Sequence, residues 1–370
     1  MFPPVSCAVA GRCAACAWIE IPYDEQLRRK RDAVRTAWVA AGLETELLGE
    51  FPIASVAAAG TRDRVDLQFR RDDSGMKIGF AIDKEIVAIE RCPQASPALE
   101  RWIEEFRTLV PPVARGGARL RVAPDGTRGV WLDLANLDVK TLFDERKALQ
   151  KLTSVAIVEI GQRRKRLTFV EGAPKLVDPE PYPWFETPAG DRTVPVYCAV
   201  GGFTQPGFAA NRKLVEALGR AIPEREGKWV ELGSGVGNFT VPLAAQGLNV
   251  VAVENDSLAL EGLRRTLQCS LPNAPEIRVE SFANPRRGWA ELLSGAAGIV
   301  ADPPRSGLGK FFEVLVDNAP AHFVYVSCFP ESFSTDAARL LALGYRLKSL
   351  EGVDQFPQTP HLELVARFDR

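Results

Sequence analysis

From about residue 206 onward, short runs rich in Val, Ile and Leu alternate with amphipathic segments of helix length, and this alternation constrains the fold more than any other feature. The expected strands are KWVEL (228–232), LNVVAVE (248–254), IRVES (277–281), AGIVAD (297–302) and HFVYVS (322–327). Expected helices cover 207–222, 237–246, 256–270, 308–318 and 332–343. Parallel neighbours need a long crossover, which a helix supplies. The pattern therefore predicts an α/β architecture, a doubly wound sheet with helices on both faces. Two last strands, near 345–353 and 362–368, have no helix between them and are expected as a terminal antiparallel hairpin.

The first half reads differently. Residues 24–42 have helical periodicity with basic residues on one side. From about 45 to 180 come short alternating runs such as RVDLQFRR, KIGFAI, EIVAIE, ARLRVAP and GVWLDLA, broken by Asp-Gly, Ser-Gly and Pro and by an expected helix at 97–110. The stretch 171–195 is rich in Pro, Gly and acid and predicts a linker or long loop. A chain of 370 residues suits more than one domain. The expected layout is a four-cysteine segment and helix over 1–44, a β-rich RNA-binding module over 45–190 and an α/β domain over 191–370.

Strand 228–232 runs into Gly233-Ser234-Gly235-Val236-Gly237-Asn238, and a helix follows. A glycine loop between strand and helix brings free N–H groups close to a ligand. Dinucleotide enzymes space their glycines G-x-G-x-x-G; here the spacing is G-x-G-x-G, with Asn238 in the place of the third glycine. Glu254 closes the next strand, where a carboxylate can accept both ribose hydroxyls of a nucleoside. Together these features suit S-adenosyl-L-methionine better than NAD and point to a Rossmann-like class I methyltransferase domain; the alternative is a tight turn beside an exposed glutamate.

Two later strands end in Asp302-Pro303-Pro304-Arg305-Ser306-Gly307 and in Ser327-Cys328-Phe329-Pro330. In an open α/β sheet both should open onto the same crevice as the glycine loop. Arg305 stands where many amino-group methyltransferases carry a base-stacking aromatic, which disfavours an exocyclic amine as acceptor. Carbon 5 of uracil is a poor nucleophile until a thiolate adds to carbon 6; a base must afterwards remove the carbon 5 proton. Cys328 can supply the thiolate. Glu363, which closes the run DQFPQTPHLE (354–363), can supply the base, since burial would raise its pKa. Alone, Cys328 also reads as a core thiol and Glu363 as a solvated strand residue; their combination favours chemistry.

Phe203-Thr204-Gln205-Pro206 with Asn211, the ELGSGVGNF loop, DPPRSGL, VSC-x-P and DQFPxTxHLE recur in this order in the RNA uracil-5 methyltransferase family, which the chain resembles over essentially all of residues 200–370. The resemblance implies that Cys328 is the nucleophile and Glu363 the proton acceptor. It also implies that Gln205, Gly233, Asn238, Glu254 and Asp302 line the cofactor pocket, Gly233 falling where the family usually has an aromatic residue. Phe329 replaces the family's usual Asn after the cysteine. The implied reaction is adenosylmethionine-dependent formation of 5-methyluridine in ribosomal RNA. The same chemistry on tRNA is one alternative, and a non-catalytic RNA-binding or assembly factor is another.

Seven cysteines in a chain with no evident export signal argue against a disulfide framework. Cys7, Cys13 and Cys16, with Cys92 much later, give four thiolates that can hold zinc or an iron–sulfur cluster, and spacing does not separate the two. The run CAVAGRCAACAWIEIPYDEQL resembles the cluster-bearing ribosomal RNA branch of the same family, which implies a 4Fe–4S cluster with Cys92 as the fourth ligand, in a structural or RNA-positioning role. In that subgroup the small RNA-binding barrel that often begins the relatives is absent, and the same is expected here. Cys198 and Cys269 are expected in the core.

Formal net charge is −1, so no global basic surplus recommends a nucleic-acid partner, and RNA contact must rest on local patches. Gly60-Thr61-Arg62-Asp63-Arg64 matches a family arginine motif, and Arg163-Arg164-Lys165-Arg166 is the densest basic run; the alternative for the latter is an exposed hairpin tip. A target uridine must leave its stack to meet Cys328, so base flipping is expected. No run approaches the roughly 18 apolar residues of a membrane helix, and a cytoplasmic location is expected.

Overall fold

The computed structural model describes the chain except residues 1, 74, 84, 111, 112, 135–138, 224, 286 and 287; the final residue of the expected strand GVWLDLA, Ala135, lies outside the described residues. In chain order the first strand is β1 (Ile53–Ser55). A run of eight follows: β2 (Arg64–Asp72), β3 (Gly75–Ile82), β4 (Glu85–Ala88), β5 (Arg115–Val122), β6 (Arg128–Asp133), β7 (Ile157–Ile160), β8 (Lys165–Val170) and β9 (Ala173–Val177). Next comes the pair β10 (Tyr182–Ala189) and β11 (Arg192–Cys198). The remainder are β12 (Lys228–Leu232), β13 (Asn249–Glu254), β14 (Glu276–Val279), β15 (Ala296–Ala301), β16 (His322–Ser327), β17 (Arg346–Asp354) and β18 (Glu363–Asp369).

The C-terminal sheet has the order β1-β17-β18-β16-β15-β12-β13-β14. Its strands are parallel except β18, which runs antiparallel to both β16 and β17. Because β12 is flanked by β15 on one side and β13 on the other, the chain reverses its winding there, and the carboxyl ends of these strands open a crevice. Side chains alternate across the sheet. On β16, Phe323 and Tyr325 join one core with Trp38, Phe311, Phe333 and Phe368, while Val324 and Val326 join another with Leu214, Leu218, Trp229 and Leu243. Both faces are covered, as the strand–helix alternation predicts.

The N-terminal sheet, β4-β3-β2-β5-β6-β7-β8-β9, is antiparallel except for the β6–β7 pair. The helix Pro97–Phe106 lays Leu99, Trp102, Ile103 and Phe106, all buried, against Leu67, Phe69, Leu120 and Val130. Ser96 caps it by accepting from Leu99 N, and Pro97 occupies the first turn, where its missing N–H costs nothing.

Two sequence expectations are corrected. Residues 171–195 are not a linker: they form β9, β10 and most of β11. The β10–β11 hairpin packs beneath the glycine loop, with Thr187 Oγ1 donating to Asn238 O at 2.8 Å and Tyr197 N donating to Thr266 Oγ1 at 2.9 Å. Cys269 is exposed on the helix Ser257–Ser270, whereas Cys198 is buried. The N-terminal helix Tyr23–Ala40 buries Val34 and Trp38 in the C-terminal core, and β1 pairs parallel with β17, so residues 23–55 pack with the α/β half. Among the described residues no helix is long and apolar enough to cross a membrane.

Candidate active site

Backbone register alone gathers the expected residues at one edge of the C-terminal sheet. Leu232 pairs with Val253 and with Ala301, so the glycine loop, Glu254 and Asp302 leave their strands side by side. Ala301 pairs with Tyr325, which brings the end of β16 to the same edge. Since β18 runs the other way, its first residue, Glu363, also lies there: Ser327 pairs with Leu364, and Val353 pairs with Glu363.

A cavity of about 500 Å³ opens beside the glycine loop, lined among others by Gln205, Gly233, Ser234, Asn238, Glu254 and Asp302. Gly233, Gly235 and Gly237 all have positive φ, which a side chain would strain. Glu254 braces the loop: its Oε2 accepts from Gly235 N at 2.9 Å, and its Oε1 accepts from Asn255 N and Asp256 N at 2.7 and 2.8 Å. Asn238 and Asn211 exchange a reciprocal pair of amide hydrogen bonds at 2.8 and 2.9 Å, and Gln205 Oε1 accepts from Gln355 Nε2 at 3.1 Å. The Ser234 hydroxyl, which also faces the cavity, is buried and without a protein partner. An unpaired buried hydroxyl, a carboxylate at the second strand end and a glycine-rich wall form a donor and acceptor set that suits a nucleoside-bearing ligand such as adenosylmethionine.

Beyond Asp302 the site turns apolar and charged together. Glu363 is 4% exposed. Burial, with the neighbouring Asp302 charge, pushes its pKa up to about 8 against the pull of Arg305. Burial likewise pushes Asp302 to about 7. The Cys328 thiol is raised first by burial and then by the Glu363 and Asp302 charges; the Arg305 cation and its hydrogen bond to the sulfur act in the opposite sense. Glu363 and the Cys328 thiol thus share the Arg305 guanidinium, and ionising one discourages the other. Sequence reading treated Arg305 only as the residue that replaces a base-stacking aromatic and missed its place beside the Cys328 sulfur and Glu363.

The loops carrying these groups are fixed locally. Asp336 Oδ2 accepts from Leu308 N at 2.8 Å and from the Tyr325 hydroxyl at 2.7 Å, anchoring the DPPRSGL turn. Gly307 is needed there: its φ is +76°, and a Cβ would lie 2.5 Å from Asp336 Oδ2. Phe329, in place of the expected Asn, leaves the cysteine loop fastened through its backbone: Phe329 N donates to Ser327 Oγ at 3.2 Å, and the Ser332 hydroxyl donates to Phe329 O at 3.2 Å.

Cys7, Cys13, Cys16 and Cys92 line one small cavity with Val9, Ile19, Val65, Phe80, Ile89 and Leu99. Burial raises Cys16 to about 12, with the other three cysteines adding to the shift, so the four thiols feel one another. Among the described residues no three or more Cys, His, Asp or Glu side chains are gathered to hold a single metal ion.

The expected RNA-contacting groups separate. Arg163 and Arg164 are exposed at the β7–β8 tip, and Arg164 also lines the large cavity. Lys165 pairs with Asp178, and Arg166 with Glu180. Arg62 and Arg64 are partly buried over the Phe356 and Phe203 rings respectively.

Comparison with known proteins sets this geometry among relatives. The model of the tRNA (Uracil-5-)-methyltransferase family matches residues 294–368. An uncharacterized RNA methyltransferase of Bdellovibrio bacteriovorus is 39% identical over 376 residues, covering 99% of this chain and 95% of the relative. The 23S rRNA (uracil(1939)-C(5))-methyltransferase RlmD of Pseudomonas fluorescens is 30% identical over 379 residues, covering 99% of this chain and 80% of that protein. The fold is shared with the crystal structure of Pyrococcus abyssi tRNA (uracil-54, C5)-methyltransferase in complex with S-adenosyl-L-homocysteine, with a TM-score of 0.69, 23% identity and coverage of 96% and 86% of the two chains.

Proposed function

The chain belongs to the RNA (uracil-5-)-methyltransferase family, and from that premise we propose that it methylates carbon 5 of a uridine in 23S ribosomal RNA through a covalent adduct on Cys328. It is an S-adenosylmethionine-dependent RNA methyltransferase. The ribosomal substrate is drawn from the RlmD relatives, and a cytoplasmic location follows from that substrate.

One observation carries the catalytic reading: the β16–β18 register puts a thiol and a buried carboxyl together at the edge where the cofactor cavity ends. Cys328 Sγ, as thiolate, adds to carbon 6 of the uracil, and the ring electrons gather at carbon 5. Adenosylmethionine, when bound, supplies the methyl that carbon 5 takes. Glu363 then receives the carbon 5 proton; the released electron pair restores the ring double bond and expels the sulfur. Arg305 stabilises the thiolate, and Glu363 is poised by its elevated pKa to hold a proton. Gln205, Gly233, Asn238, Glu254 and Asp302 would bind the cofactor, and Arg163 and Arg164 would meet RNA phosphates.

We infer a 4Fe–4S cluster rather than zinc at the four-cysteine cavity, the assignment that the resemblance of the N-terminal run supports. Four thiols lining one apolar pocket are a donor set that a 4Fe–4S core can use. Such a group would cross-link the N-terminal segment to the β-rich sheet. Anaerobic protein with about four iron atoms per chain supports this assignment; stoichiometric zinc contradicts it.

Mass mapping of 5-methyluridine in ribosomal and transfer RNA from a strain lacking this protein tests the substrate. Loss of the modification from one 23S position is the expected outcome, and loss from tRNA alone would overturn the ribosomal assignment.

A further inference from the structure

The β17–β18 connection begins at Asp354 and delivers the chain to Glu363, and it is gripped by the N-terminal helix. Lys30, fully buried, donates from Nζ to Asp354 Oδ1 at 2.6 Å and to Phe356 O at 3.0 Å. The Tyr23 hydroxyl donates to the other Asp354 oxygen at 2.6 Å. Gln26, also fully buried, donates from Nε2 to Gln358 Oε1 at 2.8 Å and accepts from Gln358 N at 2.8 Å. Just upstream, Trp18 N donates to Gln358 O at 2.9 Å, which ties the cysteine-rich segment to the same point. Gln358 has a φ of +67°, a left-handed conformation that a non-glycine residue keeps only when its surroundings hold it.

Tyr23, Gln26 and Lys30 fall three and four residues apart and so share one helix face. A buried ion pair is weak evidence for stability, because apolar residues of similar volume often serve as well. What such a pair gives is a fixed geometry. Here that geometry belongs to a connection whose ends, Val353 and Glu363, are cross-strand partners.

We propose that Lys30 and Gln26 are positioning residues: they hold the 354–361 connection so that Glu363 reaches the carbon 5 proton of the methylated adduct. This rests on the role given to Glu363 above. In the step concerned, the Glu363 carboxylate takes the carbon 5 proton, the C–H electron pair becomes the carbon 5–carbon 6 double bond, and the Cys328 sulfur departs with the electrons of its bond to carbon 6. Loosening the connection slows this release and spares the earlier addition and methyl transfer.

The test is a single turnover of full-length protein with unmodified 23S ribosomal RNA and methyl-labelled adenosylmethionine, separating label in a detergent-stable protein–RNA complex from label in free RNA. In Lys30→Met, the ratio of trapped to released label is expected to rise about tenfold or more, with total label transfer changed less than about threefold. Gln26→Leu removes no buried charge and carries the test if Lys30→Met does not fold; it should shift the ratio in the same direction, as should Tyr23→Phe to a smaller degree. Folded variants in which transfer and release fall in parallel, or in which the ratio stays at the wild-type value, overturn the proposal. Failure of the covalent reading is distinguishable: the wild-type protein would then form no stable complex with 5-fluorouridine RNA.

Discussion

Ser327 and Leu364 are paired across antiparallel strands, and this single register decides where the chemistry can happen. The residue after Ser327 is Cys328 and the residue before Leu364 is Glu363, so a strand end and a strand beginning bring the proposed nucleophile and the proposed base to one edge. An all-parallel sheet would put the start of the last strand at the opposite edge. The terminal hairpin, which breaks the parallel pattern, is thus what lets this fold combine a thiol with a carboxyl beside the cofactor loop.

Glu363→Gln keeps the size and removes the carboxylate proposed as the base. Turnover is expected to fall by about 10²- to 10⁴-fold, with labelled RNA accumulating as a detergent-stable adduct. Gel separation under denaturing conditions reads this outcome; a fall in turnover without adduct would remove Glu363 from the release step.

The pH dependence has a defined sign. A group with a pKa of about 8 is mainly protonated at neutral pH and accepts a proton only once ionised. Adduct release is therefore expected to quicken as pH rises through about 8, and Glu363→Gln should lose that limb. Rates of release measured from pH 6 to about 9.5 check it.

Stability should move the other way. Glu231 and Asp302 are raised to about 7 and Glu363 to about 8, from ordinary values of 4.5, 3.8 and 4.5. Between the ordinary and the raised values the folded chain keeps protons that the unfolded chain has lost. These groups thus favour the folded state fully below about pH 4, and that contribution is lost as pH rises toward 8, by about 1 kcal/mol per group per pH unit inside each window. Urea midpoints of the cofactor-free protein are expected to fall more steeply with pH in wild type than in Glu231→Gln; equal slopes would contradict the assignment.

Glu254 accepts one backbone N–H from the glycine loop, that of Gly235, and two from the residues that follow it, Asn255 and Asp256. Glu254→Ala is expected to weaken S-adenosylhomocysteine binding by about 10- to 100-fold, as loss of a charged hydrogen-bond acceptor worth about 1.5–3 kcal/mol would. Calorimetric titration measures it, and unchanged affinity would place the cofactor elsewhere.

The α/β half is legible in the sequence because its central strands β12, β13, β15 and β16 are mostly apolar and buried runs and the segments between them include helices. Its motifs sit at strand ends, where backbone order alone brings them together. The β10–β11 hairpin is hidden by Pro188 and Pro195 within its strands. Proline is excluded from the middle of a sheet but tolerated on an edge, and in a two-stranded ribbon both strands are edges. Lys30 reads as one cation among several on a basic helix, and nothing local reveals a partner 324 residues away. Cys269 shows the converse: a thiol in an amphipathic helix reads as core, yet it falls on the solvent side.

The most direct test uses RNA in which uridine is replaced by 5-fluorouridine, whose carbon 5 offers no proton to Glu363. Incubation with adenosylmethionine, digestion and mass spectrometry should yield a stable nucleotide adduct on the peptide that contains Cys328, and none in Cys328→Ala. Absence of any adduct from active wild-type protein, or its appearance on a different cysteine, would contradict covalent catalysis by Cys328.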